Sequence, residues 1–320
     1  MRSRRPLAAA FLAALLSCSD SSGPNGGLKS ASALATQLEA IDHAIATPQL
    51  KSLGALALPV LNLGIDVHTI SSITWGRTIE WNEFRVRYEF TQGTGAPADA
   101  LRLILYTLDS TGHPASPIEE IGHADLYPFN EHNGGGPDSM SLRYVVTDTR
   151  TTPTVVADFL AHSHADSACQ CATVEGWASD GTTRVDFSVP YEIPLDSDGR
   201  FPGSFTASDL SFEHVATLPG PGASAATANL TLVFAGDTIT TMSGELHPHA
   251  GRLEGEVVVM INGAPFTTVT RTAAGISATG PGGRPLTNAE RRALAALFDV
   301  PADIAYYIEW PTFVIFFCGC

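Results

Sequence analysis

Arg184-Val185-Asp186-Phe187-Ser188-Val189-Pro190-Tyr191-Glu192-Ile193 alternates along its length. Val185, Phe187, Val189, Tyr191 and Ile193 are apolar, and Arg184, Asp186, Ser188 and Glu192 between them are polar. Successive side chains of a strand leave opposite faces, so a period of two specifies a strand with one buried and one wetted face. Pro190 has no N–H to give to a ladder, which predicts an edge position or a bulge there.

The same period recurs on both sides. Phe84, Val86, Tyr88 and Phe90 alternate with Glu83, Arg85, Arg87 and Glu89 and predict one half-buried strand. Leu101, Leu103 and Leu105 repeat the pattern, as do Leu142, Tyr144 and Val146. Further on come Leu230, Leu232 and Phe234, then Val257, Val259 and Ile261, then Phe266, Thr268 and Thr270. Asn262-Gly263 between two such runs is the strongest short hairpin signal, and Gly236-Asp237, Asp196 to Gly199 and Gly280 to Gly283 are further turns. One-face alternation argues against a parallel sheet, whose buried strands read as unbroken apolar runs.

Helical spacing appears twice. Leu34, Leu38, Ile41 and Ile45 fall on one helix face between Ser30 and Ala46, and Pro48 stops the helix or lies just beyond its end. Thr287-Asn288-Ala289-Glu290 is a capping box that opens a helix burying Ala293, Leu294, Leu297 and Phe298 and ending at Pro301. Ile304, Tyr306 and Ile308, then Phe313, Ile315 and Phe317, predict a return to strand. The expected fold is mainly β, an antiparallel sandwich or barrel-like meander with a helix near each end. The expected organisation is residues 1–17 as a signal peptide, 18–28 as a tether and 29–320 as one β-rich domain, with a soft boundary across the Gly- and Pro-rich segment 200–226.

The leader carries the address. Arg2, Arg4 and Arg5 precede an unbroken apolar run, Leu7 to Leu16. That run is too short for a membrane-spanning helix of roughly 20 residues and fits the h-region of a secretory signal. Leu15-Leu16-Ser17-Cys18 resembles the lipobox of bacterial lipoproteins. The resemblance implies cleavage after Ser17, a diacylglyceryl thioether on Cys18 and an acylated new amine, so that several acyl chains anchor the protein. Ser19, rather than Asp, after the cysteine resembles the class sent to the outer membrane. Ser19 to Gly27, SDSSGPNGG, reads as a flexible tether. Loss of the three leader arginines takes the formal charge from −15 to −18. Such acidity argues against nucleic acid and anionic headgroups as partners, leaving a protein or small-molecule ligand.

With Cys18 acylated, the other four cysteines fall into two Cys-x-Cys pairs, Cys169/Cys171 and Cys318/Cys320. Residues i and i+2 of a strand share a face. Antiparallel neighbours in register would therefore close Cys169–Cys320 and Cys171–Cys318 side by side, in a compartment where disulfides persist. Each would close a loop of about 150 residues, worth about 4–5 kcal/mol in the chain-entropy model. The competing reading is a zinc or copper site drawn from His162, His164, Cys169, Cys171, His247 and His249, since thiolates and imidazoles suit both metals.

No nucleophile elbow, zinc-protease helix or phosphate-binding loop is present in the sequence, and no catalytic residue or cofactor is assigned. His123 to Asp138, which holds His123, Asp125, Glu131 and His132, reads as a long surface loop and a second candidate ligand site. Trp75, Trp81, Trp177 and Trp310 read as core or rim aromatics. The expected function is an envelope lipoprotein with a non-enzymatic binding or structural domain. The rivals are a metal-dependent hydrolase using the His and Cys clusters, and a carrier of apolar ligands.

Overall fold

The computed structural model describes residues 28, 30–61, 75–91, 95–128, 139–165, 169–194, 199–207, 210–218, 227–244, 246–249, 252–272, 274–304 and 307–308. Helices α1 (Ala31–Ile45) and α2 (Pro48–Leu61) open it. Strands β1 (Thr78–Asn82), β2 (Arg87–Thr91), β3 (Leu101–Tyr106), β4 (Glu120–Pro128) and β5 (Ser139–Asp148) follow. Next come β6 (Thr154–Ala165), β7 (Cys169–Ser179), β8 (Arg184–Pro194), β9 (Gly199–Ala207) and β10 (Leu210–Leu218). The remaining strands are β11 (Thr227–Phe234), β12 (Asp237–Ser243), β13 (His247–His249), β14 (Arg252–Ile261), β15 (Ala264–Thr272) and β16 (Gly275–Ala278), before helix α3 (Asn288–Ile304).

The strands form one continuous sheet in the order β16-β15-β14-β12-β11-β10-β9-β8-β7-β6-β5-β4-β3-β1-β2, with β13 pairing β14 off that path. The meander form of the expected fold is the one found. Neighbours are antiparallel except β1 and β3, and the path ends at β2 and β16 without closing into a barrel among the described residues. The ladder also runs through 200–218 as β9 and β10, inside the segment read as a soft boundary.

The alternation sorts as expected over most strands. Leu101, Leu103 and Leu105, then Leu142, Tyr144 and Val146, then Val185, Phe187 and Val189 are all buried. They share one apolar cluster with Leu34, Leu38 and Ile41 of α1, Leu50, Leu53 and Leu56 of α2, and Ala293, Leu294 and Leu297 of α3. The helices thus cover the apolar face of the sheet. Thr287 Oγ1 accepts the Glu290 N–H at 3.2 Å and the Thr287 N–H donates to Glu290 Oε2 at 2.8 Å, so the capping box forms. Asn262 and Gly263 both have positive φ, 52° and 77°, the backbone of the expected tight hairpin.

Gly176 sits in the middle of this face. It pairs with Phe159 on one side and Phe187 on the other. A Cβ built there would lie 2.5 Å from Phe159 Cα and 2.3 Å from the Asp158 carbonyl oxygen. Without one, the Phe159 and Phe187 rings meet across the glycine with centroids 6.0 Å apart, and Tyr144 stacks on Phe159 at 4.8 Å.

Several sequence expectations fail for physical reasons. Glu83 to Phe90 is not one strand: β1 ends at Asn82 and β2 begins at Arg87. Asn82 Oδ1 accepts the Phe84 and Arg85 N–H groups, and Val86 turns the chain with φ 52°. Phe84 is consequently 99% exposed, while Tyr88 keeps its buried place. Pro48 lies just beyond the end of α1, as one of its two expected roles has it, and also does something sequence did not suggest. It starts α2, where a missing N–H costs nothing in the first turn, and Thr47 Oγ1 accepts the Leu50 N–H at 3.3 Å. Pro301 lies inside α3, and Ile304 is its last residue rather than the start of a strand. Pro190 is not at an edge. β8 is flanked by β7 and β9, but its ladder to β9 pairs Asp186–Ser188 and resumes only at Glu192, with Pro190 and Pro202 in the gap.

Candidate functional site

The residues singled out in sequence divide between separate regions. Cys18, Glu131, His132, Trp310, Cys318 and Cys320 lie outside the described residues. His123 and Asp125 stand within β4, not in a surface loop. His162 and His164 stand on β6, Cys169 and Cys171 on β7, and His247 and His249 on β13. β13 pairs with β14, six ladder steps from β7, so the third histidine cluster does not join the others along the sheet. His123 aligns with Thr147 of β5 and His162 with Ser141. The six-residue offset is about 20 Å along a strand. Among the described residues no group of three or more His, Cys, Asp or Glu side chains converges as a metal would need.

The sheet face opposite the helices carries a row of polar pairs. Arg102 donates Nε and Nη2 to the two oxygens of Asp125, both at 2.7 Å, and Asp125 is 5% exposed. His123 Nε2 stands 3.6 Å from Asp125. Burial first, and the Arg102 charge second, hold the His123 ring below its ordinary pKa, against the pull of Asp125. Arg143 pairs with Asp158 in the same fork geometry at 2.8 and 2.6 Å. Ser141 Oγ lies 2.6 Å from His162 Nδ1, which fixes that ring against β5.

The expected arrangement of the Cys-x-Cys pairs meets an obstacle. At Cys171, β7 already has His164 of β6 on one side and Glu192 of β8 on the other. Both hydrogen-bonding edges of β7 are thus occupied at Cys171, and Cys318 and Cys320 lie outside the described residues.

A concave site lies at the other end of the molecule, where β3 ends, β4 begins and β5 ends. At the bulge between Leu105 and Tyr106 the register slips by one residue. The Tyr106 N–H donates to Ser52 Oγ at 3.0 Å, and Gln49 Nε2 donates to the Ile121 carbonyl at 3.2 Å. Two polar side chains of α2 thereby serve backbone groups at the bulge and fix that helix against the sheet. Between them opens a cleft of about 540 Å³ lined in part by Lys51, Ala55, Tyr106, Leu108, Ile121 and Tyr307. The Lys51 Nζ sits 5.8 Å from the Tyr307 ring centroid. The other charges of the cleft are committed locally: Arg150 forks onto Asp148, Glu119 Oε2 accepts from Thr107, and Asp109 closes its own turn through Thr111 and His113. Beside the helices, burial first and the neighbouring Asp42 carboxyl second push Asp303 up to about 7, with Lys51 opposing.

Sequence reading missed this cleft. Lys51, Tyr106 and Arg150 belong to no common pattern, and only a bulge and the docking of α2 bring them together. Comparison with known protein families, with characterised proteins and with solved structures finds no match to the chain.

Proposed function

We propose that the chain is an exported lipoprotein, acylated on Cys18 and held at the outer membrane, whose β-rich part is a non-enzymatic binding domain. The cleft beside α2 is its ligand site. The observation that carries the binding half is the cleft's combination of size and lining. About 540 Å³ lies in the range that takes small molecules. Ala55, Leu108 and Ile121 offer apolar wall, Tyr106 and Tyr307 offer rings, and Lys51 offers a cation over one of them. This suits an amphipathic molecule with an anionic end beside Lys51. The anchoring half rests on the leader, from Arg2 to Cys18.

Each half has its own test. The mature chain, released gently from membranes, is expected to carry an added small-molecule mass in native mass spectrometry. Ala55→Trp, which fills the cleft, is expected to lack it. An unliganded wild type, or an equal added mass on Ala55→Trp, overturns the binding reading. Cys18→Ala is expected to move the chain from the membrane to the soluble fraction; a variant that stays with the membrane overturns the anchor.

A further inference from the structure

The two most exposed large apolar side chains among the described residues stand two positions apart on one turn: Phe84 at 99% and Val86 at 67%. They form the tip between β1 and β2, and two devices fix them there. Asn82 Oδ1 accepts the Phe84 and Arg85 N–H groups at 3.0 and 3.1 Å. Arg85 and Arg87 both close on Glu89 Oε1 of β2, at 2.8 and 2.7 Å, which draws their charges toward the strand. The tip stands beside the cleft. β1 runs parallel to β3, so both strands finish at the same end of the sheet. The Trp81 N–H donates to Tyr106 Oη at 3.2 Å, and Tyr106 lines the cleft. The Trp81 and His113 rings have centroids 6.1 Å apart, and His113 closes the turn whose Asp109 and Gly112 also line the cleft. Phe84 is three residues beyond Trp81, about 10 Å of extended chain.

Resting on the cleft as the ligand site, we propose that the β1–β2 tip is a contact site for a bilayer of zwitterionic lipids and sets the mouth of the cleft against their headgroups. The bilayer is then the source of the amphipathic ligand. Two side chains cover far less than the roughly 800 Å² that each partner gives to a stable protein interface. A bilayer demands no matching shape. It takes an aromatic and an aliphatic side chain into the boundary between headgroups and acyl chains, while arginine stems lie along that boundary with their charges in water. The charges around the tip balance, Glu83 and Glu89 against Arg85 and Arg87. Beside Phe84 a hollow of about 260 Å³, walled in part by Glu80, Glu83 and Trp81, presents carboxylates and a ring to the ammonium of a choline or ethanolamine headgroup. With a formal charge of −15 on the whole chain, the fit is to a zwitterionic surface rather than an anionic one. Two side chains alone hold a bilayer weakly. Cys18 to Gly27 spans at most about 35 Å, so a chain anchored at Cys18 makes this contact as an intramolecular event.

The test uses the mature chain with Cys18→Ala and an N-terminal histidine tag, captured on nickel-chelating lipid in phosphatidylcholine vesicles. The tag takes the place of the acyl chains, so the outcome does not depend on acylation of Cys18. Phe84→Trp reports on the tip. Ala274→Trp is the control, an exposed position in the turn between β15 and β16, at the other end of the sheet's path. On capture, the added emission of Phe84→Trp is expected to shift to the blue and to be quenched by phospholipid brominated on its acyl chains. Ala274→Trp is expected to show no quenching beyond that of the wild type. Val86→Asp in the Phe84→Trp background is expected to lose most of the quenching. Aspartate tolerates the left-handed backbone of that position better than valine, so the loss does not come from unfolding. Replacing part of the phosphatidylcholine with phosphatidylglycerol is expected to reduce the quenching. Equal quenching of Phe84→Trp and Ala274→Trp overturns the proposal, as does quenching that Val86→Asp leaves unchanged or that phosphatidylglycerol strengthens. Failure of the cleft as ligand site shows separately, as the missing ligand mass in native mass spectrometry with the quenching intact.

Discussion

Replacing Gly176 by alanine tests how the centre of the sheet is built. The added Cβ would arrive 2.5 Å from Phe159 Cα and 2.3 Å from the Asp158 carbonyl oxygen, separations that real Cβ atoms do not adopt. Both obstacles are backbone or adjoin it, so no side chain can swing away. Either β6 moves from β7, or the pair of rings over the glycine separates. Two costs combine. An L residue at φ +155° is strained by about 1–3 kcal/mol. Overpacking a close-packed face adds about 1–3 kcal/mol more. Together, about 2–6 kcal/mol is a large part of a total stability of order 5–15 kcal/mol. Gly181→Ala is the control. Gly181 has φ +90° but nothing within 4 Å of its would-be Cβ, so its substitution carries backbone strain without the clash. Urea unfolding of both variants, followed by far-ultraviolet circular dichroism, gives the difference. Gly176→Ala is expected to be worse by about 1–3 kcal/mol, the overpacking share alone. Two variants equal within about 0.5 kcal/mol, the scale of an ordinary surface change, would refute the close-approach reasoning.

Three other perturbations reach different parts of the fold. Ser52→Ala strands the buried Tyr106 N–H at the bulge, so chemical denaturation is expected to register a loss of about 1–3 kcal/mol. Phe84→Ser is expected to change stability by less than about 0.5 kcal/mol, since the ring is 99% exposed; a buried strand phenylalanine would cost several times that, and thermal melting separates the two. Asp303 is protonated in the folded chain up to about 7 but ionises near its ordinary value when unfolded. The folded state therefore holds a proton that the unfolded state releases, and stability falls as pH rises from about 4 to 7. Asp303→Asn is expected to remove about 1–2 kcal/mol of that fall after allowance for solvent screening, as read from urea midpoints across the window.

What could be read from sequence follows from how local the cause is. The run from Val185 to Ile193 declared its buried face because alternation depends on the strand alone, and Val185, Phe187 and Val189 are buried as expected. The run from Phe84 to Phe90 has the same alternation, but a side-chain clasp and one left-handed valine fold it into a hairpin, and alternation carries no sign of that. Pro48 lies just beyond α1 as one expectation had it, but sequence did not show that it opens α2; Pro301 was read as a helix end and is tolerated within α3. Pro190 was read as marking an edge or a bulge; β8 is an interior strand whose register to β9 is the same before and after an interruption that contains Pro190 and Pro202, which lie twelve residues apart in sequence. The cleft was invisible for a related reason: it is made by strand register and helix docking, which single-strand patterns do not encode.

The sheet's path ends in β2, five residues long, and in β16, four residues long. A strand edge is a template on which another chain can crystallise its own backbone. This ribbon is many strands wide, yet among the described residues the two ends of its path offer a newcomer only short landing strips. Arg87 and Glu89 set charges along one of them, and the other is Gly-Ile-Ser-Ala. Width is thus gained with little invitation to growth: the described strands hold a broad array of hydrogen bonds between two short ends.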